Sequence, residues 1–160
     1  MSRRTVTGLT VFILFISLCF LGLFIKSQSK IYQAEAEAVK IVNYTYPVDK
    51  VNEFYWITVN EKQTYFSLDF LDEKGTHRYA IINQAGGDVI YLTDQDIISE
   101  IDAKSIALAD MKPKRILQAR LGLVNKKPTW EVTLKNNNNT ITYYYLDAKT
   151  GAWVQKIENI

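Results

Sequence analysis

Few residues in this chain have the types and spacing that catalysis or metal binding needs. There is one histidine, His77, and one cysteine, Cys19. That pair is too small for an ordinary zinc site, a disulfide framework, or a Cys/His or Ser/His/Asp active site. No nucleophile-elbow, zinc-protease, C-x-x-C, dinucleotide-binding or Walker pattern occurs. Gly86 and Gly87 precede a strand pattern, so they read as a turn and not as a phosphate cradle. Asp69, Asp72 and Glu73 are close in sequence, but Asp72 and Glu73 fall in a turn. Paired acid/base work needs two carboxyls held across a cleft with separated pKa values. His77 lies beside the turn Lys74-Gly75-Thr76 and reads as an exposed residue without a role. The chain is therefore expected not to be an enzyme and to need no cofactor or metal.

Charge separates the chain into parts. Residues 1–30 contain Arg3, Arg4, Lys26 and Lys30 and no acid, whereas the other 130 residues hold 15 basic and 17 acidic side chains. The basic pI belongs to the flanks of an apolar stretch, which argues against a nucleic-acid-binding domain. That stretch, Thr5–Ile25, has 21 residues and no charge. As a helix it is ~32 Å long, enough for a bilayer core of ~30 Å. Its apolar region is longer than that of a secretory leader, and no small-x-small site follows Ile25. Leu18 stands before Cys19, where a lipoprotein signal needs a small residue. The reading is an uncleaved single-pass anchor, with a cleaved leader as the alternative. Arg3 and Arg4 favour a cytoplasmic N-terminus (residues 1–4) and a folded part outside the membrane. A cysteine confined to the membrane segment suits that compartment.

The remainder repeats itself at an offset of 64. Phe66, Leu68, Phe70, Ile82 and Gly87 stand opposite Trp130, Val132, Leu134, Leu146 and Gly151. Upstream the offset drifts, and Pro47 falls opposite Pro113. Each unit (26–95 and 96–160) reads as one helix, a proline, and then three or four alternating strands. The first helix carries an apolar stripe at Ile31, Ala34, Ala38, Ile41 and Val42, and nothing after Lys26 separates it from the membrane segment. The second has an N-cap at Ser99, Asp102 three residues on, and Ala103, Ile106 and Ala107 inward. Turns are expected at Asn60–Lys62, Glu73–Gly75, Asn125–Pro128 and Asn136–Asn139. The fold class is α+β: a transmembrane helix and two tandem units, each a helix on an antiparallel meander.

Alternation assigns faces. In the first unit Tyr55, Ile57 and Val59 are placed inward with Phe66, Leu68 and Phe70. The outward set is Phe54, Trp56, Tyr65, Ser67, Tyr79 and Ile81, too apolar for a solvated sheet. The other repeat, a partner protein or the membrane surface must cover it. In the second unit the outward set is Gln118, Arg120, Thr129, Glu131, Thr133, Tyr143 and Tyr145, an ordinary wet face. The candidate partner-binding residues are Phe54, Trp56, Tyr65, Tyr79, Ile81, Arg120, Tyr143 and Tyr145. Residues 31–95 carry 5 basic and 10 acidic side chains, and residues 96–160 carry 10 and 7. This asymmetry can help the units dock or orient a partner. Lys112, Lys114 and Arg115 form a basic cluster that suits a solvated face, a phosphate-rich wall polymer or anionic lipid.

Several segments carry a family resemblance. They are Lys50–Trp56 (KVNEFYW), Pro113–Leu123 (PKRILQARLGL), Lys127–Val132 (KPTWEV), Tyr143–Asp147 (YYYLD) and Thr150–Trp153 (TGAW). With the anchor and the two repeats, they resemble the YpmB-like proteins of Gram-positive bacteria, also described as TseB-like cell-wall elongation regulators. The repeats also resemble PepSY modules, which are cystatin-like in shape. The resemblance implies a non-enzymatic regulator whose partner is a membrane-anchored penicillin-binding protein. The PepSY likeness implies an alternative, an extracytoplasmic inhibitor or restraint of a protease, and a third reading is a passive binding module for wall polymer. The resemblance supplies no catalytic or ligand residues.

Overall fold

A computed structural model describes residues 3–60, 63–158 and 160. The expected turn at Asn60–Lys62 therefore falls partly outside the described residues. The chain divides into two compact units, Met1–Glu37 and Ala38–Ile160.

The first unit is helical. Helix α1 spans Arg3–Asn43 without a break, so its last turns belong to the second unit. Large apolar side chains such as Phe12, Leu18 and Phe20 are exposed along it. It is long and apolar enough to cross a membrane. The buried line at its C-terminal end is Ala34, Ala38 and Val42, while Ile31 and Ile41 are exposed. The working stripe thus steps by four and is narrower than the sequence suggests. The helix stops before Pro47, where Asn43 Oδ1 accepts the N–H of Val48 at 2.7 Å.

The second unit holds two antiparallel meanders. Strands β1 (Val48–Asn60), β2 (Gln63–Asp72), β3 (His77–Asn83) and β4 (Ile90–Thr93) form one sheet in that order. Helix α2 (Glu100–Met111) follows, and then β5 (Arg115–Val124), β6 (Lys127–Lys135), β7 (Ile141–Asp147) and β8 (Trp153–Ile157) form the other. Asp72 closes the β2–β3 turn: its Oδ1 accepts the N–H groups of Lys74 and Thr76, and Arg78 Nε donates to its Oδ2. In the second sheet Asn125 and Lys126 both have positive φ, as a two-residue hairpin requires, so Pro128 lies within β6 and not in the turn. Helix α2 begins with the expected capping box at Ser99 and Asp102 and ends on Lys112 in the left-handed region. Ala103 and Ala107 are fully buried, but Ile106 is partly exposed. Tyr144 ties the helix to the sheet by donating to Asp110 Oδ2 at 2.8 Å.

The register corrects the face assignment of β1. Phe54 pairs with Leu68 and Trp56 with Phe66, so Phe54 and Trp56 share a face with Phe66, Leu68 and Phe70. Tyr55 and Ile57 pair with Ser67 and Tyr65 and take the opposite face. Register breaks at Val48/Lys50, Val51/Glu53 and Thr58/Asn60 mark bulges along β1. A hydrophobic core joins the repeats. Tyr65, Tyr79, Ile81 and Leu92 cluster with Ala103, Ala107, Leu121, Val132 and Leu146. Strand β5 is where the sheets meet. On one side Ile57 fills the space a side chain at Gly122 would need, and on the other Tyr79 packs edge-on against Trp130 with centroids 6.1 Å apart. Trp130 in turn donates its indole N–H to the carbonyl of Ile98. Burying one such aliphatic side chain as Ile81 stabilises the fold by about 2 kcal/mol.

Candidate interaction surface

The eight residues expected to form one partner face separate into three groups. Tyr65, Tyr79 and Ile81 are buried in the inter-repeat core, with Ile81 only 1% exposed. The second repeat covers them, so they are unavailable to a partner.

Arg120, Tyr145 and Tyr143 belong to the outer side of the second sheet. That side is not wet: Thr129, Glu131 and Thr133 are all buried. The lone carboxylate among them, Glu131, is answered from two directions. The Arg120 guanidinium donates to Oε1 through Nε and Nη2, and the Tyr145 hydroxyl donates to Oε2 at 2.9 Å. Burial and then the Glu131 charge push the Tyr145 phenol up, so it stays protonated as a donor. Arg120 Nη1 also reaches the Trp56 carbonyl at 3.5 Å, which stitches the second sheet to β1. These contacts make Arg120 and Tyr145 internal fasteners. Tyr143, half-buried opposite Thr133, remains partly accessible.

Phe54 and Trp56 form the third group and are the part of the expected face that a partner can reach. Trp56 is 37% exposed on edge strand β1, and its indole stands edge-on to Phe66 at 5.2 Å. Phe54 packs on the same ring at 5.8 Å. Phe66 is buried and fixes both rings, giving a small, rigid aromatic patch. Such rings cost little conformational entropy on binding, which suits an anchor point in an interface. Arg115 faces Lys135 across the β5–β6 ladder, and exposed Lys112 and Lys114 lie beside it.

Sequence reasoning missed the setting of His77. Its Nε2 lies 2.7 Å from Asp69 Oδ1 and its Nδ1 2.7 Å from Asp94 Oδ1. Asp69 is buried and takes a further hydrogen bond from Asn52 Nδ2. Burial lowers the imidazole pKa, but the hydrogen bonds and charges of Asp69 and Asp94 outweigh it, so the net shift is upward. Tyr55 and Tyr79 are pushed up first by burial and then by nearby acids, Glu100 foremost for Tyr55 and Asp69 for Tyr79. The arrangement clasps β2, β3 and the β4–α2 connection together. The fixed turn Lys74-Gly75 held the clue, because it sets His77 opposite Leu71 and diagonal to Asp69.

Residues 97–153 match the PepSY family model, described as the peptidase propeptide and YPEB domain. The match runs from the residue before Ile98 to the first residue of β8. A solved structure of the YpmB protein from Bacillus subtilis has a similar fold, with a TM-score of 0.65. It is 20% identical, and the likeness covers 76% of this chain and 95% of that one. No curated protein matches the chain. The chain is thus YpmB-like in fold, and its second repeat is a PepSY-type module.

Proposed function

We propose that this chain is a membrane-anchored, extracytoplasmic interaction protein that regulates peptidoglycan elongation by contacting a penicillin-binding protein. The observation that carries the reading is α1, a single helix that runs from an exposed apolar stretch to Asn43. A helix of that composition holds the protein at a membrane, where a membrane-anchored synthase is a neighbour. Arg3 and Arg4 set the N-terminus on the cytoplasmic side. The Phe54–Trp56 patch is the contact point on this reading. The module acts by binding and makes or breaks no covalent bond.

A photo-crosslinker at position 56 in cells, followed by mass spectrometry, tests the proposal. It is expected to recover a wall-synthesis transpeptidase, whereas a crosslinker at position 120 reports only contacts within the chain. Recovery of no wall-synthesis protein from position 56 overturns it. Intact mass of the membrane-fraction protein checks the anchor, because a cleaved leader would remove the apolar stretch. The family description of the PepSY match favours a second reading, restraint of a protease. Inhibition of a secreted protease by the full-length chain, with no transpeptidase crosslink, would select it.

A further inference from the structure

One large aromatic side chain of the second repeat is left mostly to solvent. Trp153 is 58% exposed at the start of β8. At the offset of 64 its counterpart is Val89, so the same corner of the first repeat is built without a large ring. Trp153 borders a cavity of about 350 Å³, whose lining includes Val124, Asn125, Lys127, Thr129 and Asp147. That volume lies in the range of small-molecule sites, which combine an apolar wall with a few fixed polar groups.

The polar groups have capacity to spare. Asp147 Oδ1 accepts from the N–H groups of Lys149 and Thr150 and from the Thr150 hydroxyl. Its Oδ2 has no partner among the described residues. Burial raises the Asp147 pKa, but the Thr150 hydrogen bonds and the Lys127 charge more than offset this, so the group is an acceptor at neutral pH. Lys127, whose charge acts on Asp147 without an ion-pair contact among the described residues, supplies three donors at Nζ. The Asn125 amide offers both kinds, and the left-handed backbone at Asn125 and Lys126 fixes the wall that carries it. In the first repeat the counterparts of Lys127 and Asp147 are Gln63 and Asn83, so neither charge recurs there.

We propose that this corner binds a pyranose sugar. One flat apolar surface beside a mixed wall of donors and acceptors matches such a ring, whose C–H face stacks on an indole while its hydroxyls donate and accept. A fatty or aromatic ligand would leave the hydrogen-bonding capacity of Lys127 and Asp147 unused, and a simple anion would meet the Asp147 carboxylate and leave the indole idle.

Indole N–H signals of the full-length protein in a sugar-free detergent test the site, with cellobiose and N,N′-diacetylchitobiose as probes. The Trp153 signal is expected to shift saturably with at least one of them, while Trp56 and Trp130 stay in place. Lys127→Ala should weaken that binding about tenfold, the equivalent of one lost charge-assisted hydrogen bond. Trp153→Ala, at an exposed position, should keep the amide spectrum and lose the response. No Trp153 shift up to the solubility of either sugar overturns the proposal, as does an equal shift at Trp56 or undiminished binding by the Lys127 variant. The site is independent of the aromatic patch on β1, so failure here leaves the docking reading intact.

Discussion

The central strands of the two sheets, β2 and β6, are both buried on both faces, yet they fill their second faces differently. In β2 that face carries Tyr65, Ser67 and Asp69, while in β6 it carries Thr129, Glu131 and Thr133. Each of these second faces therefore conceals one carboxylate. In the first repeat a histidine answers it, with a second carboxylate, Asp94, on the other ring nitrogen. In the second repeat an arginine and a tyrosine answer it. Both solutions satisfy a buried charge, but only the histidine titrates near neutral pH. Two copies of one architecture thus differ in what they ask of the solvent.

Removing the permanent cation should have the largest effect. Arg120→Met leaves Glu131 buried without its guanidinium and frees the Trp56 carbonyl, and it should cost about 3 kcal/mol. Chemical denaturation of the full-length protein in micelles measures this, and a loss well below 1 kcal/mol would mean that water reaches Glu131 freely. The histidine offers a subtler break. Because its folded pKa is raised, its stabilisation is complete below the unfolded value near 6.5 and is lost as pH rises through the folded value. Stability of the wild type should therefore decline across that window. His77→Gln should flatten the decline, while Arg120→Met should leave it in place. His77→Ala should cost about 2 kcal/mol at pH 6, the size of a lost hydrogen bond to a charge. An unchanged pH profile in His77→Gln would assign the dependence elsewhere.

The smallest change sharpens the comparison from the other direction. Ser67 Oγ and Thr133 Oγ1 are buried without a hydrogen-bond partner among the described residues, one on each second face. Ser67→Ala and Thr133→Val keep shape and remove an unpaired hydroxyl, so each should raise stability by about 1 kcal/mol. Thermal unfolding of the two variants checks this. A loss in either would show that its hydroxyl has a partner after all.

Much of this architecture was legible in the residues. The offset of 64, the Ser99–Asp102 box and the small Ala103 and Ala107 gave two helix-and-meander units, and the structure has that element order. The phase of β1 was not legible. Phe54, Tyr55, Trp56 and Ile57 are apolar at both parities, so alternation cannot choose a face, and a bulge at Val51/Glu53 shifts the count. The pairing with β2 decides it. The outer side of the second sheet misled for a related reason: Thr129, Glu131 and Thr133 look solvated by type, and only Arg120 and Tyr145 reaching back make their burial tolerable. His77 was missed because Asp69 and Asp94 are 8 and 17 residues away in sequence and meet it only once the strands fold back.

The bulges of β1 have a consequence for crowding. Where copies are concentrated they meet often, and a thirteen-residue edge strand is an open template for pairing with another chain. Three interruptions in its register leave no long straight run of unpaired N–H and C=O groups, and Arg120 occupies the carbonyl at Trp56. Bulges that interrupt an edge in this way disfavour strand-to-strand pairing between copies.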